Sequence, residues 1–169
     1  MDLPTFANLI NAIAVTAGVI FAAAQIRHYS QRRRRDAMLE LVRSFQSPSF
    51  ASAFRRVISL PDGATQAQVI KLLGADGDDA THIVGLTWES LGVLVFRREV
   101  TLDVVDDFFS GPISISWRKL SRYVFEQRAV LHRETAFEWF QWLAERMIDR
   151  EKQTPPVPAH IAHRGWKKL

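Results

Sequence analysis

The chain of 169 residues contains no cysteine. Disulfide bonds, thiolate catalysis and zinc sites built on cysteine are therefore excluded, and the composition suits a reducing compartment. The chain also lacks a glycine-rich phosphate loop, an HExxH metalloprotease motif and a nucleophile elbow. Its one close pair of histidines, His160 and His163, has no acidic neighbour. We therefore expect no enzyme activity, no metal and no cofactor.

Charge is missing from residues 3–26, a run of 24 residues. As a helix this run would extend about 36 Å, which exceeds the hydrocarbon thickness of a bilayer, about 30 Å. A signal peptide would carry positive residues before the run, whereas only Asp2 precedes it. We predict a permanent transmembrane anchor at residues 1–27. The alternative is a buried helix of a soluble protein, because Ala, Asn and Thr dilute the apolarity of the run.

A row of basic residues follows the uncharged run: Arg27, Arg32, Arg33, Arg34 and Arg35. Because basic residues collect at the cytoplasmic ends of membrane helices, we expect these side chains to bind anionic headgroups of the cytoplasmic leaflet. The N-terminus would then lie outside and the remaining chain inside the cell. The net charge of +4 does not predict a nucleic-acid partner, since residues 36–150 carry −3 and basicity lies only at the two ends.

One stripe of the predicted anchor consists of small and polar residues. Its members follow at spacings of three and four: Ala7, Asn11, Ala14, Gly18, Ala22 and Gln25. In lipid such a stripe lets two helices approach closely. We expect it to pack against a membrane protein partner or a second copy, although alanine-rich helices also produce such stripes by chance.

The remaining chain predicts an all-α fold with about five to six helices after the anchor. Residues 28–47 are interpreted as a basic juxtamembrane helix that continues the anchor, residues 48–150 as a cytoplasmic helical bundle and residues 151–169 as a flexible basic tail. The expected helix starts are Ser49, a capping box of Thr65 and Gln68, Asp78 or Asp79, Thr101, Ser114 or Ser116, and residue 134. Gly111 and Pro112 are expected to separate two helices.

The segment TWESLGVLVFRREVTLDVVDDFFSGPISISWRKLSRYVFEQR, residues 87–128, resembles a known family. It is similar to the DUF4760 proteins, small single-pass bacterial membrane proteins of unknown function. The similarity includes the long apolar helix, a Glu-x-x-Gly step, the VDDFF turn and Trp117, and it covers most of residues 3–147. It implies a bacterial inner-membrane location and an all-α fold, and it supplies no catalytic residues.

Glu89 is the most distinctive polar residue, because it lies in the most apolar helix of the bundle. An unpaired carboxylate there would be unfavourable by several kcal/mol, so we predict a buried or half-buried ion pair with Arg128. Two interpretations remain open. The pair fixes the register of two helices, or together with Trp88 and Trp117 it lines a ligand pocket.

Aromatic residues near the end of the chain spread over more than one helix face. Trp139 and Trp142 are therefore candidates for contact with a partner or with lipid headgroups, and core packing is the alternative. Taken together, the sequence predicts a non-enzymatic, membrane-anchored accessory or scaffold protein. The second hypothesis is a membrane-tethered sensory or regulatory module that binds a small ligand within the bundle.

Overall fold

A computed structural model describes residues 14–29, 43, 45, 47–74 and 76–167. The chain divides into two compact units, Met1–Arg43 and Ser44–Leu169. Every regular element of the described residues is helical, which confirms the all-α fold. These helices are α1 (residues 14–29), α2 (Pro48–Ile58), α3 (Gln66–Leu73), α4 (Gly77–Phe96), α5 (Leu102–Leu131), α6 (Glu138–Gln153) and α7 (Ala159–Ala162).

In the first unit, α1 is helical from residue 14 to residue 29, and each of these residues is exposed. Within the part of the chain that the structure describes, no helix has both the length and the apolarity needed to cross a membrane. The predicted anchor also includes residues 1–13, and the predicted juxtamembrane helix includes residues 30–42. Both of these segments lie outside the described residues.

The second unit begins earlier than residue 48, the predicted start of the bundle. Phe45 already belongs to the core, because its ring stacks on that of Trp88. The centre of the Phe45 ring lies 4.9 Å from the ring centre of Trp88 and 4.1 Å from that of Phe109. Ser47 then caps α2 by accepting a hydrogen bond from Phe50 N at 3.3 Å, and Pro48 occupies the first turn. The predicted cap at Ser49 is wrong by two residues, because proline suits the first turn, where its missing N–H is not needed.

The loop after α2 is fixed to the middle of α5. Gly63 N and Ala64 N donate to the carbonyl oxygens of Arg118 and Lys119 at 2.8 and 2.9 Å. Asp62 adds ion pairs of 2.7 Å to Lys119 and 3.3 Å to Arg118, and its hydrogen bond to Lys119 lowers the pKa of the Asp62 carboxyl. Gly63 adopts φ 63°, a conformation that favours glycine in such a turn.

Helix α3 follows the prediction closely. Thr65 and Gln68 form the expected capping box, with side chain and backbone bonded in both directions. The helix ends at Gly74, which has φ 75°, as expected for a glycine that terminates a helix.

Helix α4 occupies the centre of the bundle and contacts α2, α3, α5 and α6. It begins at Gly77, so Asp78 and Asp79 lie inside its first turn and do not cap it. Asp78 instead accepts a hydrogen bond from the Tyr123 hydroxyl of α5 at 2.6 Å. The buried residues of α4 lie on one side of the helix: Gly77, Ala80, Thr81, Val84, Gly85, Trp88, Leu91, Gly92 and Val95.

Helix α5 runs without interruption through Gly111 and Pro112, so the predicted break at this position is wrong. Phe109 and Ile113 are buried on the two sides of the proline, and burial of both favours one continuous helix over the local preference of proline. Ser116 Oγ donates to the Pro112 carbonyl at 2.8 Å and accepts from Trp88 Nε1 at 3.0 Å. Packing of α5 on α4 therefore outweighs the tendency of Pro112 to break the helix.

Helices α5 and α6 are antiparallel. The first turns of α5 meet the last turns of α6, where Arg150 binds Asp103 at 2.5 Å and Asp106 at 3.2 Å. Helix α6 starts at Glu138, four residues later than predicted, because the preceding residue, Phe137, has left-handed φ 55°. The residues after α6, up to residue 167, are exposed throughout and include the short helix α7.

Candidate functional site

The predicted site is centred on Glu89, the only residue of α4 between Asp79 and Arg97 with an acidic or basic side chain other than histidine. Glu89 is half-buried. Its Oε2 atom accepts a hydrogen bond from the backbone N–H of Phe140 at 2.7 Å. Its partner is therefore the backbone at the start of α6.

This contact replaces a helix cap. The residue before α6, Phe137, offers no side-chain hydrogen bond to the first turn, and the first N–H groups of a helix have no partner within the helix. A carboxylate at that end also interacts favourably with the helix dipole. Glu89 thus does from a neighbouring helix what an Asp or Ser usually does from the N-cap position.

Arg128 of α5 binds the same turn from the other side. It is only 8% exposed. Its Nε donates to the Ala136 carbonyl at 2.8 Å, its Nη1 to Gln141 Oε1 at 2.7 Å and its Nη2 to the Phe137 carbonyl at 3.4 Å. The guanidinium also lies 5.4 Å from the ring centre of Phe125. Each polar edge of this buried cation therefore has a neighbour.

Glu89 and Arg128, for which the sequence predicts a buried or half-buried ion pair, make no direct ion pair, although the charge of Arg128 acts on the Glu89 carboxyl. Among the ion pairs of the described residues, none joins these two side chains within 4.0 Å. The N–H groups at the start of α6 take the carboxylate, and the carbonyl groups just before it take the guanidinium. Both charges are satisfied by one turn, so they fix the register of α4, α5 and α6 through that turn.

The environment of Glu89 raises the pKa of its carboxyl above the ordinary value of 4.5. Burial is the main cause, and the nearby Glu138 adds to it. The backbone N–H groups of Phe140 and Trp139 and the charge of Arg128 act in the opposite direction. Desolvation of a half-buried carboxylate thus outweighs the hydrogen bonds that stabilise its charged form.

Two glycines of α4 make the close contact with α6 possible. A Cβ atom at Gly85 would lie 2.7 Å from the Phe137 ring, and one at Gly92 would lie 2.5 Å from the Trp139 carbonyl oxygen. In the sequence, Gly92 appears only as the end of the Glu-x-x-Gly step, and no helix contact is predicted for either glycine. Their spacing from Glu89, four residues before and three after, is the signal that they share its face.

The two tryptophans predicted to line a ligand pocket belong to the core. Trp88 is fully buried, and its ring meets those of Phe45, Phe50 and Phe109. Trp117 packs edge-on against Phe140 at 5.1 Å. These contacts favour the structural interpretation of the cluster over the ligand pocket.

Trp139 and Trp142 are half-buried and form a surface cluster with Phe96. Their ring centres lie 6.0 Å apart, and Phe96 lies 4.7 Å from Trp139 and 6.4 Å from Trp142. Arg146 covers Trp142 at 5.7 Å. The cluster is part of the α4–α6 contact and still presents aromatic surface to the outside.

The described members of the predicted packing stripe, Ala14, Gly18, Ala22 and Gln25, are all exposed on α1. A Cβ atom at Gly18 would meet nothing within 4 Å. Arg27 is exposed as well. Ala7, Asn11, Arg32, Arg33, Arg34 and Arg35 lie outside the described residues, and so does their predicted contact with lipid or partner.

Fold and site together define an all-α protein in which a helical bundle, locked by charges at one turn, follows a helix with exposed apolar residues. The family DUF4760, described as a domain of unknown function, matches residues 12–147. The match covers most of the chain, and the protein belongs to this family. The matched residues include α1. No curated protein and no solved structure matches the chain.

Proposed function

We propose that this protein is a non-enzymatic accessory or scaffold protein of the bacterial inner membrane. Residues 1–27 anchor it with the N-terminus outside, and the helical bundle and the basic tail that follows it lie in the cytoplasm. The stripe on the anchor packs against a membrane protein partner or against a second copy. The arginines after the anchor bind the headgroups of anionic lipid.

The exposure of α1 is the observation that carries this proposal. Five large apolar side chains of α1 are between 62% and 70% exposed: Val15, Val19, Ile20, Phe21 and Ile26. Burial of one such side chain contributes about 1.5–3 kcal/mol. A helix that is apolar around its circumference belongs in lipid or in a protein core. Because α1 has this character and continues an uncharged run that begins at Leu3, we assign lipid as its surroundings.

The location can be tested with single cysteines, since the chain has none of its own. In intact cells, Asp2→Cys should react with a membrane-impermeant maleimide, whereas Gly165→Cys should react only after lysis. Gly165 suits this purpose because a side chain there meets nothing within 4 Å. Labelling of Gly165→Cys in intact cells, or recovery of the protein without detergent, would contradict the proposed anchor.

The packing role of the stripe can be tested with a matched pair of variants. Ala22→Ile adds bulk to the stripe, and Ala23→Ile adds the same bulk about 100° away around the helix. In mild detergent, Ala22→Ile should lose the partner or the second copy that copurifies with the native chain, and Ala23→Ile should retain it. Equal behaviour of the two variants would show that the stripe is not a packing face.

A further inference from the structure

The side of α4 that faces away from Trp88 is an uncharged surface. Leu86 is 55% and Ile83 38% exposed, Ser90 is exposed, and Val93 and Leu94 are half-buried. At about 100° per residue these five side chains fall within an arc of about 100°. The charged residues on neighbouring faces of the helix are turned elsewhere, since Glu89 binds Phe140 N and Asp78 accepts from Tyr123. Among the helices that the structure describes, none therefore covers this apolar stripe of α4.

Opposite charges mark the two ends of this α4 stripe. Asp79 precedes it and Arg97 follows it, both exposed. They lie 18 residues apart, which is five full turns at about 3.6 residues per turn, so they share one face of the helix. Neither side chain takes part in an ion pair with any described residue.

We propose that the α4 stripe is a self-association surface that takes the α4 stripe of a second copy in antiparallel orientation. A two-fold axis through the level of residue 88 places Asp79 against Arg97 of the second copy, and the symmetry repeats this ion pair at the other end. The same axis places Ile83 opposite Val93, and Leu86 opposite Ser90. Apolar groups thus meet apolar or small groups along the whole contact.

The hydroxyl groups near the stripe do not oppose its burial. Ser90 Oγ donates to the Leu86 carbonyl at 2.8 Å, and Thr87 Oγ1 donates to the Ile83 carbonyl at 2.6 Å. Both hydroxyls keep a hydrogen bond within α4 when water leaves, so their desolvation leaves no unpaired donor. Ser90 also has a short side chain at the level where the two helices cross, which permits close approach. The proposal does not depend on the anchor, because every contact lies in the second unit.

Spin labels can measure the antiparallel arrangement on the full-length protein in detergent micelles. With axes about 8–10 Å apart, labels at Thr87→Cys, a position beside the stripe near the level of the axis, should lie within about 20 Å of each other, and labels at Glu99→Cys beyond about 25 Å. Absence of any intermolecular distance at micromolar protein would overturn the proposal. Equally short distances from the two labelled positions would also overturn the proposal, since they indicate that the two α4 helices pack in parallel.

Charge reversal provides the decisive test. Asp79→Arg should weaken self-association about tenfold at low salt, because both symmetric contacts become repulsive, and Arg97→Asp should act alike. The double variant Asp79→Arg, Arg97→Asp restores the pairs and should recover the native association constant. Two weakened single variants with an unrestored double variant would refute the antiparallel pairing, and so would single variants that associate as strongly as the native chain.

A matched leucine pair separates this surface from general stickiness. Leu86→Arg should yield monomers by light scattering, whereas Leu131→Arg, at an equally exposed leucine of α5 (58%), should leave the dimer intact. Loss of the dimer in both variants would contradict the proposal. The variant Ala22→Ile distinguishes the two proposals, since it disturbs the anchor stripe and should leave the short distance between labels at residue 87 unchanged.

Discussion

Helices α1 and α4 are both poor in charge and both contain glycine, yet their residues differ in burial and in the neighbours they contact. Nine residues of α4 are buried, whereas all described residues of α1 are exposed. A methyl group added at Gly92 would collide with backbone, and one added at Gly18 would meet nothing. An apolar circumference thus predicts that a helix needs to be covered, while the contacts of the folded chain decide whether protein or another medium covers it.

The largest expected effect concerns the charged group that holds the start of α6 beside α5. Arg128→Ala should lower the free energy of unfolding of the bundle by about 3 kcal/mol, because carbonyl groups of a buried turn lose their donor. Urea denaturation in detergent, followed by tryptophan fluorescence, measures this change. Arg122→Ala on the same helix breaks only an exposed pair with Glu126 and should change stability by less than about 0.5 kcal/mol. If the free energy of unfolding falls as little in Arg128→Ala as in Arg122→Ala, the Arg128 contacts contribute little to stability.

The glycines allow the most direct comparison between the two helices. Gly92→Ala should destabilise the bundle by about 2 kcal/mol, because the new methyl group forces α4 and α6 apart. The higher helix propensity of alanine offsets this loss by up to about 1 kcal/mol. Gly18→Ala should leave the unfolding of the bundle unchanged. An equal response at both positions in denaturation curves would remove the distinction drawn above.

The cap provided by Glu89 should have a smaller effect, and a characteristic dependence on pH. Glu89→Ala should lower stability by about 1–2 kcal/mol, since Phe140 N loses its acceptor, and Glu89→Gln should cost less because an acceptor remains. The pKa of Glu89 is higher in the folded state than in the unfolded state. The part of the folding stability that is linked to protonation of Glu89 is therefore fully present below the unfolded pKa and is lost as pH rises through the folded pKa.

The stability of the native chain should therefore fall relative to Glu89→Gln as pH rises from below 4.5 through the raised pKa of Glu89. Parallel denaturation series of the two proteins between pH 4 and about 8 measure this difference. A difference that stays constant over this range would show that Glu89 titrates alike in the folded and unfolded chain.

Tyr123 offers the smallest of these effects. Burial, together with the hydrogen bond to Asp78, raises the pKa of the Tyr123 hydroxyl, so the hydroxyl keeps its proton and donates a hydrogen bond to Asp78. Tyr123→Phe should lower stability by about 1 kcal/mol. A double-mutant cycle with Asp78→Ala isolates the pair, and additive losses in that cycle would show that the 2.6 Å contact contributes nothing of its own.

Local patterns predicted much of the fold. The capping box at Thr65 and Gln68 and the cap at Thr101 were predicted correctly, because each depends on residues within one turn of each other. The break at Pro112 was predicted wrongly, because burial of Phe109 and Ile113 against other helices outweighs a local preference.

The site was predicted only in part. The sequence identified Glu89 and Arg128 as charges that need partners, and both prove to be partly or largely buried. Their partners are backbone groups of a turn, and all residues carry such groups alike, so composition and spacing do not reveal which turn is used. Phe137 has a left-handed φ and leaves α6 without its own cap, and its ring lies against Gly85, a residue far away in the chain.

The sequence by itself determined that the chain is helical, where α3 and α5 begin, and that an uncharged segment comes before a charged bundle. These properties follow from the period of apolar side chains and from contacts between near neighbours in the chain. Only the tertiary structure decided that α5 is one helix, that Glu89 and Arg128 bind a single turn, and that one stripe of α4 stays open. These features depend on groups far apart in the chain, whose approach is set by burial of the whole core.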